Sequence, residues 1–599
     1  MTETVQCRVC GCPAPLGTAE CPDCGAPLPQ ELPREPEPLA APAAEDAAPS
    51  QEKKGPSPKR RWARWAAGFL AVCLAAELAV LAIPPKKTPP GVVLTAGGFV
   101  TPDGVWDHEA DGFFFTTATS DGRYVILQQV GEEALSKVKP IRSVLSSSSV
   151  NLSYTYAPDG DYYLFDGRTL EQTDWDTATL TDSGAVFYTV QDDTGTALFH
   201  RDLPTGKVRE IDRVEGEADL ADLRPSADGT AVAYRWESSG QTPYSLWRVG
   251  DKTPVELDGQ GTLVGVGNGG QTCLFWEGNT NGTDDTLYRG YDNSYYLWRD
   301  GESVDLSGWM PMWCNNALTE LLLRKEREDS SGDWYYYDVK AMTAPVRLDA
   351  SNETYLIPAV RNGNLWWSGY GSETLKGRFY VGQTSGGSAV YYLTRRGELL
   401  PVTEGLGGDF LLDEVGQSAV YLKDGDLYRA AVLPDETVET GQLTQTVGSL
   451  TSSDLDAGSV DAFAANGDLT HIYYVAQSPE GYRGGKVLYH WHDGESHALD
   501  FQYGLTYNAY QGAIEVTPEG GCYFQNSGDV YYTAQDAPPT LVLEDAGIGT
   551  QPQLVGPDQW PLVTGATWEG GESKQLYWRL DGEKEPVGLT AWTPKEGKI

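Results

Sequence analysis

The sequence has few cysteines and few basic residues, and each scarcity excludes a class of protein. Only three of its nine cysteines lie after residue 84 (Cys273, Cys314 and Cys522), so a disulfide framework cannot hold that part together. The 599 residues contain 44 Lys and Arg against 85 Asp and Glu, a formal net charge of -41 at pH 7. A chain this acidic repels nucleic acid and anionic membrane surfaces, so neither is an expected partner of its bulk.

Glycine and aromatic residues are abundant, and they recur in a regular pattern from about residue 92 onward. One repeated element is a polar turn before a short strand, as in the segment 227–234 (ADGTAVAY). A second is a strand that ends in Asp-Gly, as in the segment 297–301 (LWRDG). Asp-Gly forms tight hairpin turns, so each unit predicts an antiparallel meander of three or four strands. Leu164 and Leu576 are about nine units apart, which gives a period near 46 residues.

A single meander cannot bury both of its faces, but radial stacking of several meanders can, which predicts an all-β fold of the β-propeller type. The pattern S-x-D-G, a strand, then L-Y/W-x-x-D-G resembles the Tol-type and WD-like propeller repeats of bacterial envelope proteins. The resemblance covers roughly residues 92–590 and implies architecture but no function. About ten units exceed the usual four to eight blades. We therefore expect one ring of seven or eight blades with insertions, or two tandem propellers; a β-helix or two β-sandwiches is the alternative.

One apolar run predicts a transmembrane helix. Residues 66–83 contain a single ionisable group, Glu77, and together with Trp62 and Trp65 the segment reaches the roughly 20 residues that cross a bilayer. Six Lys and Arg lie before the run and two directly after it, which predicts a cytoplasmic N-terminus and an extracellular C-terminal part. Glu77 is either a contact to a partner helix or a protonated or snorkelling side chain. We expect an uncleaved signal-anchor in the cell membrane.

Two C-x2-C-G units near the N-terminus predict a structural zinc site. Cys7 and Cys10 form the first unit, and Cys21 and Cys24 form the second. Four thiolates at this spacing suit a closed tetrahedral Zn²⁺ site, and the pattern resembles the short zinc ribbon of many bacterial membrane proteins. Cys12 could replace Cys10 as a ligand. A redox dithiol or an iron–sulfur cluster is the alternative.

Four other groups of residues could bind a ligand. His490 and His492 share one strand face and could hold a metal with Asp493 or His497, although other units place Arg or Trp in this position. The remaining groups are a possible Ca²⁺ loop (Asn279, Asn281, Asp284, Asp285), an acid pair (Asp192, Asp193) and aromatic clusters (Trp366–Trp367, Trp334–Tyr337). Each also has a plain structural interpretation, as a polar loop, a chance pair of acids or packing between blades.

The expected organisation has six parts. They are a zinc ribbon (1–28), a disordered Pro/Ala/Glu linker (29–61), a transmembrane helix (62–84), a short linker (85–91), the propeller (92–590) and a tail (591–599).

We expect a non-enzymatic recognition or scaffold protein of a bacterial envelope. Its propeller would bind a protein or a cell-wall glycan outside, and its ribbon a cytoplasmic protein. The chain has no G-x-S-x-G elbow, phosphate-binding loop or H-E-x-x-H motif. The alternatives are a surface hydrolase or lyase acting on glycan or peptide through propeller-mouth carboxylates, and a transmembrane signalling receptor.

Overall fold

A computed structural model describes residues 4–6, 13–15 and most of 91–599. The residues left out of the latter range are 96–97, 131–159, 238–242, 259–260, 278–293, 327–331, 342–343, 351–354, 360–373, 385–386, 445–459, 478–485, 504–513, 547–550, 556–557 and 570–571.

The chain divides into two compact units, Met1–Lys86 and Lys87–Ile599. In the first unit the strands Thr4–Gln6 and Pro13–Pro15 pair antiparallel. The predicted zinc ligands and the predicted membrane segment lie outside the described residues. Where the chain is described, none of its helices has the length and apolar character needed to cross a bilayer.

The second unit consists of eleven β-sheets in chain order, which we call blades 1 to 11. Blades 1 to 5 contain the strands Val93–Thr95, Gly98–Thr101, Gly104–Trp106; Phe113–Ala118, Val125–Val130, Gly160–Phe165, Thr169–Gln172; Thr177–Leu180, Ala185–Asp192, Gly195–Asp202, Lys207–Glu215; Leu220–Pro225, Ala231–Trp236, Tyr244–Arg248, Val255–Leu257; and Thr262–Val266, Thr272–Glu277, Ser294–Arg299, Glu302–Asp305. A short 3-10 helix, Asn268–Gly270, lies in blade 5.

Blades 6 to 11 have four strands each, and every pairing between neighbours in a blade is antiparallel. Their strands are Met310–Cys314, Glu320–Glu326, Gly332–Asp338, Val346–Arg347; Tyr355–Pro358, Arg378–Thr384, Gly387–Leu393, Leu399–Glu404; Leu406–Leu412, Ser418–Lys423, Asp426–Val432, Val438–Gln442; Ala462–Ala465, Ile472–Gln477, Lys486–His492, Glu495–Tyr503; Ile514–Val516, Gly521–Asn526, Asp529–Ala534, Thr540–Leu543; and Gln551–Val555, Trp560–Glu569, Glu572–Arg579, Val587–Gly588.

The Asp-Gly turns have the backbone that the sequence predicts. Asp300 has φ 46° and Gly301 has φ 92°, and Asp493 and Gly494 repeat the pair with φ 51° and 87°. Positive φ at both central residues defines the two-residue turn whose twist matches the strands it joins. These turns set the register of the third and fourth strands of their blades.

The blades pack side by side into a closed ring. Along a second strand such as Ala231–Trp236, Ala231 and Ala233 face blade 5, whereas Val232 and Tyr234 face blade 3. This alternation follows from the two-residue period of a strand. Eleven apolar clusters of the described residues each join two successive blades, and the eleventh joins blade 11 to blade 1. The first strands of several neighbouring blades contact each other, so they lie towards the ring axis.

The last residues of the chain lie beside the seam of the ring, which is the junction between blade 11 and blade 1. The Val105 amide donates to the Thr590 carbonyl at 2.9 Å, and the Trp592 amide donates to the Val105 carbonyl at 2.8 Å. The strand Lys595–Glu596 then adds in parallel to the edge of blade 2. The segment 590–599 therefore supplies an outer edge to blades 1 and 2, which follow the seam.

The expected ring of seven or eight blades is wrong, and so is the division into two propellers. Nine intervals do separate Leu164 from Leu576, because these residues lie in the third strands of blades 2 and 11. Each repeat between them is a complete four-stranded blade rather than an insertion. Blades 2 to 11 account for the ten units of the repeat, and blade 1 is the eleventh blade.

Candidate functional site

A belt of hydrogen bonds joins the turns between the first and second strands of neighbouring blades. The Ser120 amide donates to Asp182 Oδ1 at 2.8 Å, and the Asp228 amide donates to Asn268 Oδ1 at 3.1 Å. The Glu414 amide donates to the Gly467 carbonyl at 2.8 Å. Because these turns follow the axial strands, the belt fixes the rim of the ring opening on one face.

A cleft of about 190 Å³ lies on this rim where blades 8 to 11 converge. Its lining residues are Leu411, Leu412, Glu414, Ala465, Asn466, Gly467, Leu469, Glu515, Val516, Pro518, Leu554 and Gln559. A second cleft of about 300 Å³ shares Leu554 and continues across the seam to Ser120 and Asp121 in blade 2. We call the two together the axial cleft.

The surface of the axial cleft is mainly polar and includes carboxylates, although leucine and valine side chains also line it. Glu414 and Glu515 contribute carboxylates from two different blades, whereas the carboxylate of Asp121 pairs with Arg123 of its own turn. Val415, which follows Glu414 in the turn of blade 8, is 75% exposed. Residues 84–599 carry 75 Asp and Glu against 36 Lys and Arg, so the field of the whole ring is strongly negative. This arrangement suits a positively charged ligand.

A second cluster of polar side chains joins blades 9 and 10. His490 and His492 project from the third strand of blade 9, and Asp536 follows the third strand of blade 10. His490 Nδ1 lies 2.8 Å from Asp536 Oδ1, and His492 Nε2 lies 2.8 Å from Asp536 Oδ2. His471 Nδ1 lies 3.0 Å from His490 Nε2. We call these four residues the histidine cluster.

The surroundings of the histidine cluster shift the pKa values of His490 and His492 in opposite directions. Burial lowers the pKa of His490 to about 4, despite its hydrogen bond to Asp536. Burial also acts to lower the pKa of His492, but hydrogen bonds to Asp536 and Asp493 outweigh it and raise the value. For Asp536, burial is outweighed by the hydrogen bonds from both histidines, and its pKa is lowered. His490 is therefore neutral and bridges two blades.

The hydrogen bonds assign the protons in the cluster. An ionised Asp536 only accepts, so neutral His490 carries its proton on Nδ1 and donates to the carboxylate. His490 Nε2 then accepts from the Nδ1–H of His471. The ring of His490 also stacks on Tyr473 at a centroid distance of 4.2 Å. The imidazole of His490 is thus held on both edges and on one face.

We expect Gly520→Ala to disturb this cluster. Gly520 has φ +84°, and a Cβ there would lie 2.6 Å from Cδ2 of the His471 ring, which its hydrogen bond to His490 holds in place. Gly301 has φ +92° and open space around it, so Gly301→Ala is a matched control for backbone strain. Urea unfolding should show that Gly520→Ala costs about 1–3 kcal/mol more than Gly301→Ala. Equal losses would contradict the contact.

The structure brings together only part of the histidine site that the sequence predicts. His490 and His492 share a strand face as expected, but their common partner is Asp536 of the next blade. Asp493 contacts His492 Nδ1 at 3.3 Å and is almost fully exposed. His497 lies opposite His490 on the paired strand and stacks on His492. Sequence reasoning missed His471 and Asp536, although Asp536 is 46 residues from His490, which is one repeat period.

In the acid pair Asp192 and Asp193, the first carboxylate is engaged in local hydrogen bonds. Asp192 accepts hydrogen bonds from the Thr194 hydroxyl and amide and from Arg213, which hold its pKa well below the usual range. The second strand of blade 3 ends at Asp192, and the third begins at Gly195. Asp192 therefore stabilises a hairpin turn.

The described aromatic cluster belongs to the packing between blades. Trp334 is fully buried and Tyr336 nearly so, in the cluster that joins blades 6 and 7. Tyr337 packs against blade 5, and Tyr335 meets Trp309 edge-on at 4.6 Å. Trp366, Trp367, the possible Ca²⁺ loop and the four predicted zinc ligands lie outside the described residues.

The buried cysteines of the ring are unsuited to nucleophilic chemistry. Burial raises the pKa of Cys273 and Cys314 to about 12, and it raises the pKa of Cys522 as well. The thiolate is the reactive form, so these thiols are inert at neutral pH. They act as small core residues.

No protein-family model matches the chain, and no curated protein matches it. Several solved propeller structures are similar to it. The β-propeller domain of the Trilobed protease from Pyrococcus furiosus is 10% identical over 66% of this chain and 98% of its own, with a TM-score of 0.25. TolB from Acinetobacter baumannii is 12% identical over 55% and 82%, with a TM-score of 0.24. Dipeptidyl peptidase 4 of Porphyromonas gingivalis is 12% identical over 75% and 64%, with a TM-score of 0.30.

At these identities and TM-scores the similarity concerns the fold alone. The assignment to the β-propeller class therefore rests on the eleven sheets, their antiparallel order and the apolar clusters that close the ring.

Proposed function

We propose that the chain is a single-pass membrane protein whose propeller recognises a basic protein segment outside the cell without catalysing a reaction. The observation that carries the proposal is the axial cleft, which presents the carboxylates of Glu414 and Glu515 within a strongly negative ring. Such a field accelerates encounter with a cationic partner and makes binding sensitive to salt.

The charge of the cleft favours a protein partner over a neutral cell-wall glycan. Basic peptides carry the charge that Glu414 and Glu515 can pair with, whereas a neutral sugar gains nothing from the field. A non-enzymatic role is supported by the inert cysteines of the ring and by the engagement of Asp192 in a turn.

The N-terminal part completes the proposal. Residues 62–84 would anchor the chain, and Cys7, Cys10, Cys21 and Cys24 would bind Zn²⁺ in a cytoplasmic ribbon that contacts a protein partner. Resistance of the chain to extraction from membranes by alkaline carbonate tests the anchor. Release by carbonate alone would contradict it.

Binding of labelled peptides to the detergent-solubilised full chain tests recognition. We expect Lys/Arg-rich peptides to bind more tightly than acidic or neutral peptides and wall-glycan fragments, with affinity falling as salt rises from 50 to 300 mM (about 14 to 6 Å of screening length). The double variant Glu414→Gln/Glu515→Gln should weaken basic-peptide binding by roughly tenfold, about 1.4 kcal/mol. Glu302→Gln, on the outer strand of blade 5, is the matched control and should bind as the parent does.

Two results would overturn the proposal. Unchanged binding by the double variant would remove the axial cleft as the site. Cleavage of a bound peptide or glycan, detected by mass spectrometry, would make the protein a surface enzyme.

A further inference from the structure

The histidine cluster has the donor set of a transition-metal site. His490 and His492 offer imidazole nitrogens and Asp536 offers a carboxylate oxygen, with the three ligand atoms all within 4.8 Å of one another. Two imidazoles and one carboxylate favour Zn²⁺ and its neighbours over Ca²⁺, which prefers oxygen ligands only. A water molecule would supply the fourth ligand of a tetrahedral ion.

The distances allow a metal ion after a small movement of one side chain. Each histidine nitrogen lies 2.8 Å from an oxygen of Asp536. Ligand atoms bound tetrahedrally to Zn²⁺ at about 2.0–2.1 Å stand roughly 3.3 Å apart. Asp536 must therefore retreat by about half an ångström. It can do so because it lies after a strand end and its side chain is 45% exposed.

The neighbours of the two histidines limit their movement. His490 is fully buried, stacks on Tyr473 and contacts His471 through its second nitrogen. A ligating histidine usually donates its other N–H to a fixed acceptor, and His471 Nδ1 can accept from His490 Nε2 once the proton moves between the two nitrogens. His492 is 21% exposed, which leaves the site open to an ion from solvent.

We propose that His490, His492 and Asp536 bind a divalent transition-metal ion of the Zn²⁺ type, which links blade 9 to blade 10. No other cluster of three such ligands is found among the described residues. An ion here would join the third strand of blade 9 to the turn after the third strand of blade 10. Since it would bind the folded ring and not the unfolded chain, it would raise stability with metal concentration.

Titration of the tag-free full chain with Co²⁺ and then Zn²⁺ tests the proposal. Cys7, Cys10, Cys12, Cys21 and Cys24 are replaced by Ser in this background, so that thiolates do not compete. We expect one equivalent of Co²⁺ to give the visible absorption of a tetrahedral nitrogen and oxygen site, and Zn²⁺ to displace it. The thermal midpoint should rise when either ion is added.

Variants of partly exposed residues test metal binding without disturbing the fold of the ring. His492→Ala and Asp536→Asn change partly exposed side chains, and each should weaken Co²⁺ binding at least tenfold while leaving the metal-free thermal midpoint close to that of the parent. Asp581→Asn is the matched control, because Asp581 occupies the corresponding turn of blade 11 and pairs with Lys584 instead of histidine. It should bind Co²⁺ as the parent does.

The opposite results would show that the cluster is only a hydrogen-bonded link between blades. Absence of saturable Co²⁺ binding in the parent would overturn the proposal. Binding that survives both His492→Ala and Asp536→Asn would do the same, since the ion would then lie elsewhere.

Discussion

Deletion of residues 590–599 is expected to open the ring at its seam. The segment donates from Trp592 to Val105, from Lys595 to Arg168 and from Gly597 to Leu170, and the Trp592 ring lies 6.3 Å from that of Phe165. Removal of a large packed aromatic residue costs about 3–5 kcal/mol, and each lost hydrogen bond about 1 kcal/mol. The deleted residues no longer lose conformational entropy on folding, and this gain offsets part of the cost. We expect a net loss of several kcal/mol in the free energy of unfolding.

Hydrogen exchange locates the effect. The deletion should speed amide exchange in Gly98–Thr101 and Gly104–Trp106 of blade 1 and in the facing strands of blade 11, but not in blade 6. Trp592→Ala should show the same pattern in weaker form. Trp309→Ala is the matched control, because Trp309 is also half-buried but packs within the interface of blades 5 and 6. Faster exchange spread evenly over all blades would contradict a seam.

Acidification is expected to destabilise the protein through His108. Burial lowers the pKa of His108 to about 4, and the nearby Asp107 raises it only in part. Neither ring nitrogen has a hydrogen-bond partner, and the ring packs 4.4 Å from that of Phe99. In the unfolded chain the pKa is near 6.5, so that state takes up a proton first as the pH falls. Stability is therefore lost between pH 6.5 and 4, by as much as about 3 kcal/mol.

His108→Leu isolates this contribution. The variant should match the parent at pH 7.5 within about 1 kcal/mol and exceed it increasingly towards pH 4, as measured by urea unfolding at several pH values. Phe115→Leu changes a buried neighbour that does not titrate, so its loss should be the same at every pH. A His108→Leu curve parallel to that of the parent would show that His108 does not titrate in this range.

The repeat and its turns could be predicted from the sequence because they are local. Asp300-Gly301 and Asp493-Gly494 adopt the positive φ angles that such pairs favour, and nine periods separate Leu164 from Leu576. The interpretation of Trp334 as core could be made for the same reason, since alternate residues of a strand face opposite blades.

The blade number and the closure could not be predicted in this way. They depend on the angle between neighbouring blades, which many small packing contacts set together and no single motif encodes. Blade 1 has only short strands, and its outer edge comes from Thr590 to Trp592, nearly 500 residues later. Pairing between segments so far apart in the chain leaves no periodic signal in the sequence.

The histidine cluster shows an intermediate case. The pairing of His490 with His492 follows from strand periodicity, but their link to Asp536 crosses between blades. The separation of 46 residues between His490 and Asp536 equals the repeat period, so residues one period apart become neighbours once the blades stack. Aligning the repeats and comparing the same position in successive units would have identified Asp536.

Cryo-electron microscopy of the full chain in detergent would count the blades and show how the ring closes. We expect a single ring of eleven blades between residues 92 and 599, with Thr590 to Trp592 beside Gly104 to Trp106 at the seam. A ring of seven or eight blades, or two separate rings, would contradict this expectation and would remove the axial cleft on which the proposed recognition of a basic partner rests.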